Sequence, residues 1–196
     1  MPLSDDRLVR VVVLASGSGT TVQAILDEPD LRPHVVAAGT DVPGCRAMER
    51  AADAGVPTFA VALADHPDRA AWNDALADAI AGHRPDLVVL AGFMRILAPS
   101  VVNRFRIVNT HPALLPAFPG AHAIRDALAA GATTTGVTVH WVDEGVDTGA
   151  VIAQAAVPVL DGDDETTLRD RVQAAEKPLY VKAIRQLVDE LGEPTP

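Results

Sequence analysis

Asn109 and His111 stand two positions apart in the segment VNTHP, at the end of an apolar run and just before Pro112. In an extended chain both side chains fall on one face. The first is an amide donor; the second donates or accepts a proton near neutral pH. Acyl transfer to an amine uses that pairing. Charge develops on the attacked carbonyl oxygen, and a proton must travel from the nucleophile to the leaving nitrogen. A turn with a packed histidine is the alternative. A carboxylate is at hand in the acidic segment DEGVDTG, residues 143–149. Set against His111, one of its acids would hold the imidazole protonated by charge attraction; a solvated hairpin turn is the alternative. His111, His140 and Asp147 could also be read as metal ligands. The chain has no HExxH or CxxC pair, so no metal is expected.

A second candidate is the loop SGSGTT, residues 16–21. Glycines let the backbone approach a ligand closely, and free N–H groups at a helix start favour an anion. A dinucleotide fingerprint needs a third glycine where Val22 stands, and a P-loop needs a lysine that is missing. The loop therefore suits a monophosphate, with a plain strand–helix turn as the alternative.

These segments need elements to position them. Residues 10–15 (RVVVLA) read as a buried strand and 20–26 as the helix after it. Strands follow at 35–39, 58–61, 87–91 and 107–109. Helices are expected at 46–54, 69–81 and 99–105, the second on the spacing Trp72, Leu76, Ile80. Alternation of this kind implies right-handed crossovers and a parallel sheet. Residues 136–142 and 151–157 read as an antiparallel addition. A final helix spans about 166–191, capped by Asp164, with the stripe Leu168, Val172, Ala175, Leu179 and Leu187. Pro178 predicts a kink or break near Lys177. The fold class is α/β: an open, mostly parallel twisted sheet, helices on both faces, and an antiparallel C-terminal addition. Clear tails are expected only at 1–8 and 192–196.

The chain has 196 residues, enough for a single domain. Its net charge is −10, from 26 acids and 16 bases. That argues against a nucleic-acid partner, while a few arginines and amides in a cleft can still bind one anionic small molecule. No apolar run reaches the ~18–20 residues that span a bilayer, and the N-terminus does not read as a signal peptide. Cys45, the single cysteine, is read as a structural thiol, and a cytoplasmic location is expected.

Three segments carry a resemblance. AGFMRIL (91–97), NTHPALLPAFPG (109–120) and GVTVH with DTG (136–140, 147–149), in that order with the glycine loop, resemble the phosphoribosylglycinamide formyltransferases, which belong to the folate-dependent formyltransferases. The resemblance covers nearly the whole chain. It implies a formyltransferase fold in a single domain, with a nucleotide-binding half (about 10–105) and a catalytic, folate-cleft half (about 106–191). It implies formyl transfer from 10-formyltetrahydrofolate to glycinamide ribonucleotide, by a monomer or homodimer. Asn109 and His111 would polarise the formyl carbonyl, and Asp147 would pair with His111 and relay a proton. Gly19, Thr20, Thr21, Asn109 and Glu176 would bind the nucleotide. Arg69, Met94, Arg95, Ile96, Leu97, Asp143, Glu144 and Val146 would line the folate pocket. Thr21 stands where the family commonly has Asn. Against the resemblance, Met94 reads as core packing, Arg69 as a surface charge, His122 as a helix cap and His140 as an ordinary strand histidine. A strand beginning at Arg10 leaves no expected room for the regulatory domain of related hydrolases. An end at Pro196 leaves none for the RNA-binding domain of the methionyl-tRNA enzymes, and a short extra tail frequent in relatives is not expected.

Overall fold

Short runs of Val, Leu and Ile bounded by glycines and polar turns set the strands of this chain, because such runs gain most when both faces are covered. The computed structural model describes residues 8–193. The tails expected at 1–8 and 192–196 therefore lie largely outside the described residues. The strands are β1 (Val11–Leu14), β2 (Val35–Thr40), β3 (Thr58–Ala60), β4 (Leu87–Leu90), β5 (Ile107–His111), β6 (Thr134–Trp141) and β7 (Val151–Pro158). They form one sheet in the order β3-β2-β1-β4-β5-β6-β7. The first five are mutually parallel; β6 and β7 are antiparallel to their neighbours.

The helices are α1 (Thr20–Leu26), α2 (Arg46–Asp53), α3 (Arg69–Gly82), α4 (Pro99–Val102), α5 (Ala123–Ala129) and α6 (Glu165–Gly192). Strand periodicity sorts them onto two faces. Val11 and Val13 pack with residues of α1, α2 and α6. Val12 and Leu14 point the other way, into a core with Trp72, Leu76 and Ile80 of α3 and Val101 of α4. Each such side chain, removed from water, contributes about 1.5–3 kcal/mol before entropy is counted. Trp72 is fully buried and satisfies its one polar group by donating Nε1–H to the Val61 carbonyl at 2.8 Å.

Four expectations change. The fifth strand runs two residues past Asn109, because β6 goes on pairing with it (Thr110↔Val139, His111↔Thr138) after β4 has stopped at the Leu90↔Asn109 level. Helix α4 ends at Val102, short of Phe105. Helix α5 has no counterpart in the strand and helix assignment made from sequence; it buries Ala123, Ile124 and Ala127. Finally, α6 runs unbroken through Pro178. That proline is exposed, and so is Ala174, whose carbonyl loses its partner, so water can satisfy it. Asp164 caps α6 as expected, in a reciprocal box with Thr167. The buried stripe, however, moves from Leu168 and Val172 to Tyr180, Ile184, Leu187 and Val188 as α6 passes from one core cluster to another.

Candidate active site

The chain leaves β1 for β2 and β3 on one side, then returns to β4 and β5 on the other. Between β1 and β4 the crossovers diverge, and in open α/β sheets ligands bind in that crevice at the carboxyl ends of the strands. A cleft of about 560 Å³ lies there. Its lining comes from the loops after β1 and β4, the end of β5, the 142–147 turn and one face of α6.

The glycine loop forms one wall. Gly19 caps α1 with φ +70°, and a Cβ built on it would lie 2.4 Å from the Ala47 Cα, so only glycine fits. Gly17 differs: a Cβ there would meet nothing within 4 Å. Gly17, Gly19, Thr20 and Thr21 all line the cleft, and the first amides of α1 have no acceptor within the helix. The Ala47 N–H donates to the Gly17 carbonyl at 3.0 Å, and Arg50 donates to the Ser18 carbonyl at 3.0 Å, which fix the loop from behind.

The opposite wall carries the side-chain chemistry. Asn109 and His111 are on one face of β5, as their spacing predicts, and both line the cleft. The Asn109 carboxamide has no hydrogen bond to another described residue. His111 is only 4% exposed. Its Nδ1 lies 3.2 Å from Asp147 Oδ2 and its Nε2 lies 2.7 Å from the Phe118 carbonyl oxygen. Both ring nitrogens thus face acceptors, an arrangement that takes two N–H donors and so matches the imidazolium form. Asp147 also accepts the Gly120 N–H at 2.8 Å, and its Oδ1 lies 3.6 Å from His140 Nε2. His140 is therefore a buried strand histidine aimed at the same carboxylate; its Nδ1 bonds the Trp141 carbonyl oxygen at 2.9 Å. Among the described residues no group of three or more His, Cys, Asp or Glu side chains is arranged to hold a metal ion.

Thr110 points to the other face of β5 and donates its hydroxyl to Glu176 on α6 at 2.9 Å. Burial pushes the Glu176 carboxyl up from its ordinary pKa, against the opposing effects of that hydrogen bond and of Lys177. One turn on, the buried Tyr180 hydroxyl bridges the carbonyls of Leu90 and Val108 at 3.0 and 2.9 Å, joining β4 to β5 under the cleft.

Met94, Arg95, Ile96, Leu97, Asp143 and Val146 line the cleft. Met94 is 78% exposed and Ile96 66%, so the core-packing reading of Met94 fails; an apolar shelf faces solvent instead. Two residues expected in the pocket are outside its lining. Arg69 donates to the Ile96 carbonyl at 2.5 Å and lies over the Trp72 ring, holding the shelf from outside. Glu144 turns away to accept from Asn103 at 2.8 Å. His122 sits at the start of α5 without making a cap hydrogen bond. Cys45, at the N-terminal cap position of α2, has its Sγ 3.3 Å from the Thr40 hydroxyl. Sequence reasoning missed Arg169, Gln173 and Lys177 in the lining. Their signal was present: with Glu176 they recur at helical spacing as a polar stripe beside the apolar one.

Known proteins resemble this chain in sequence and in fold. The sequence profile described as formyl transferase matches residues 9–184. A phosphoribosylglycinamide formyltransferase of Mycobacterium tuberculosis is 57% identical over 182 residues, 91% of this chain and 84% of that one. The crystal structure of a glycinamide ribonucleotide transformylase from Symbiobacterium toebii superposes with a TM-score of 0.88 at 44% identity, covering 93% of this chain and 89% of that chain. A transformylase structure from Geobacillus kaustophilus gives 0.87 at 43% identity, covering 93% of this chain and 100% of that one. A profile match over most of the residues, together with these close relatives, places the chain in the formyl transferase family.

Proposed function

We propose that this chain is a phosphoribosylglycinamide formyltransferase of purine biosynthesis. It moves a formyl group from 10-formyltetrahydrofolate to the amine of glycinamide ribonucleotide, releasing tetrahydrofolate. One observation carries the reading: Asn109, an amide donor with no hydrogen-bond partner among the described residues, shares with the His111–Asp147 pair a cleft whose far wall is a glycine loop. The family and its relatives support the choice of reaction.

In this reading the nucleotide sets its phosphate on the backbone amides of Gly19, Thr20 and Thr21 and its sugar near Glu176. The folate lies against Met94–Leu97 and the 143–147 turn, with the formyl carbon near β5. The amine attacks that carbon, and the carbonyl oxygen takes up the electron pair. Asn109 donates to the oxyanion. His111 supplies positive charge, and its Nε2–H also donates, because an oxyanion is a stronger acceptor than the neutral Phe118 carbonyl it replaces. The attacking nitrogen then loses a proton, which Asp147 passes through water to the leaving folate nitrogen. The C–N bond to the folate breaks, and the formyl group stays on the new nitrogen.

The test is tetrahydrofolate release from 10-formyltetrahydrofolate, with and without glycinamide ribonucleotide. Release that requires the nucleotide is the expected result. Equal release without it would assign a hydrolase, and none under either condition a binding module.

A further inference from the structure

Asp41 closes β2 and lies outside the lining of the cleft, yet its carboxylate is buried, with its side chain 1% exposed. Oδ1 accepts the Ser16 hydroxyl at 2.5 Å, and Oδ2 accepts Arg95 Nε at 2.7 Å. The Ser16 hydroxyl oxygen in turn accepts the Met94 N–H at 2.9 Å, and the Ser16 N–H donates to the Gly92 carbonyl at 3.1 Å. These bonds join the ends of β2, β1 and β4, the three strands at the switch point. Ser16 opens the glycine loop, and Met94 and Arg95 begin the 94–97 segment that carries the apolar shelf. A buried carboxylate is tolerated only with such partners, so the geometry at each end is held by the other.

We propose that Asp41 is a positioning residue that sets the glycine loop and the 94–97 shelf in register, so that the two substrates meet at reacting distance. The inference rests on the substrate placement above. Neither Asp41 nor Ser16 touches the cleft, and Asp41 acts through Ser16 and Arg95. Rigid spacing of two binding walls is what bimolecular transfer requires, since small displacements of bound reactants lower the rate steeply.

Steady-state kinetics and thermal melts of full-length Asp41→Asn, Asp41→Ala, Ser16→Ala and the Ser16→Ala/Asp41→Ala double variant test this. We expect KM for glycinamide ribonucleotide and for 10-formyltetrahydrofolate to rise together in Asp41→Ala, each by about fivefold or more, the lower end of ordinary coupling between sites. Asp41→Asn, which keeps the shape and an acceptor for Ser16, should recover part of the loss. The double variant should be no worse than Asp41→Ala alone, because both changes cut one chain of bonds. A purely structural role would lower Tm and the active fraction and leave both KM values alone; that result, a rise for one substrate only, or additive effects overturns the proposal. If Asp41→Ala does not fold, Ser16→Ala and Asp41→Asn decide by the same KM criterion. A wild-type protein inactive with both substrates overturns the functional reading and this inference with it, and is told apart by the wild-type assay.

Discussion

The two walls of the cleft are built by different means. The glycine loop after β1 offers backbone: first-turn amides with no acceptor inside their own helix, a glycine at φ +70°, and atoms packed behind it that leave no room for a side chain. The wall at β5 and the 147 turn offers side chains: the Asn109 amide and the His111–Asp147 pair, the pair held at 2.7–3.2 Å by its own contact and by the main chain of Phe118 and Gly120. The contrast follows from topology. The parallel crossover at β1 turns straight into a helix, which presents N–H groups. At β5 the parallel neighbour β4 has already stopped, so the last two residues of β5 are held by the antiparallel strand β6 and project into an opening. Backbone suits an anion that needs many weak donors in fixed places; side chains suit a step in which charge and protons must move.

Breaking the β5 wall should have the largest effect. Asn109→Ala, His111→Ala and Asp147→Ala are each expected to lower kcat by roughly 10²–10³, the usual loss for one oxyanion-hole donor, with circular dichroism near wild type in all three and a lower Tm in Asp147→Ala, whose left-handed backbone resists alanine. Near-normal turnover in a well-folded His111→Ala would refute the site. The glycine loop should break differently at its two glycines. Gly19→Ala forces a Cβ into Ala47 at a positive φ, at roughly 1–3 kcal/mol for overpacking alone, and Tm should fall by several degrees. Gly17→Ala meets no protein atom and should stay within about 0.5 kcal/mol of wild type, while KM for glycinamide ribonucleotide rises. Equal KM in Gly17→Ala and wild type would show that no ligand comes close to that face of the loop.

The smallest effect belongs to Glu176, which sits between the walls on α6. Its carboxyl is raised by burial, so the folded state holds the proton more tightly than the unfolded chain does. That contribution is fully present below the unfolded value and is lost as pH rises through the folded one. The Glu176 contribution should therefore fall with pH across and just above the ordinary carboxylate range, and Glu176→Gln should remove that component from a plot of Tm against pH. An unchanged slope in the variant would mean that another group carries it.

Strand positions were legible because β-branched runs ending in glycine leave few alternatives, and the same-face placement of Asn109 and His111 follows from a period of two. Register was not legible. That Asn109 lies opposite His140, and that β5 outlasts β4, depends on pairings between distant segments. Pro178 predicts a break that α6 does not show, because the proline rule for buried helices relaxes where the freed carbonyl meets water. The resemblance implies Arg69 and Glu144 in the pocket, but hydrogen bonds to Ile96 and Asn103 turn them elsewhere. The Phe118 carbonyl on His111 was invisible to any reading of side-chain types, since it is a main-chain atom delivered by a residue at φ +52°.

Asp147 too has a left-handed backbone, at φ +56°. Among residues with side chains, aspartate and asparagine adopt that conformation most readily, because their short polar groups bond locally. Glutamate at this place would carry the acid one methylene too far and would also resist the turn. The position therefore admits one carboxylic amino acid, and an exchange that most substitution scales treat as mild would here be among the most disruptive.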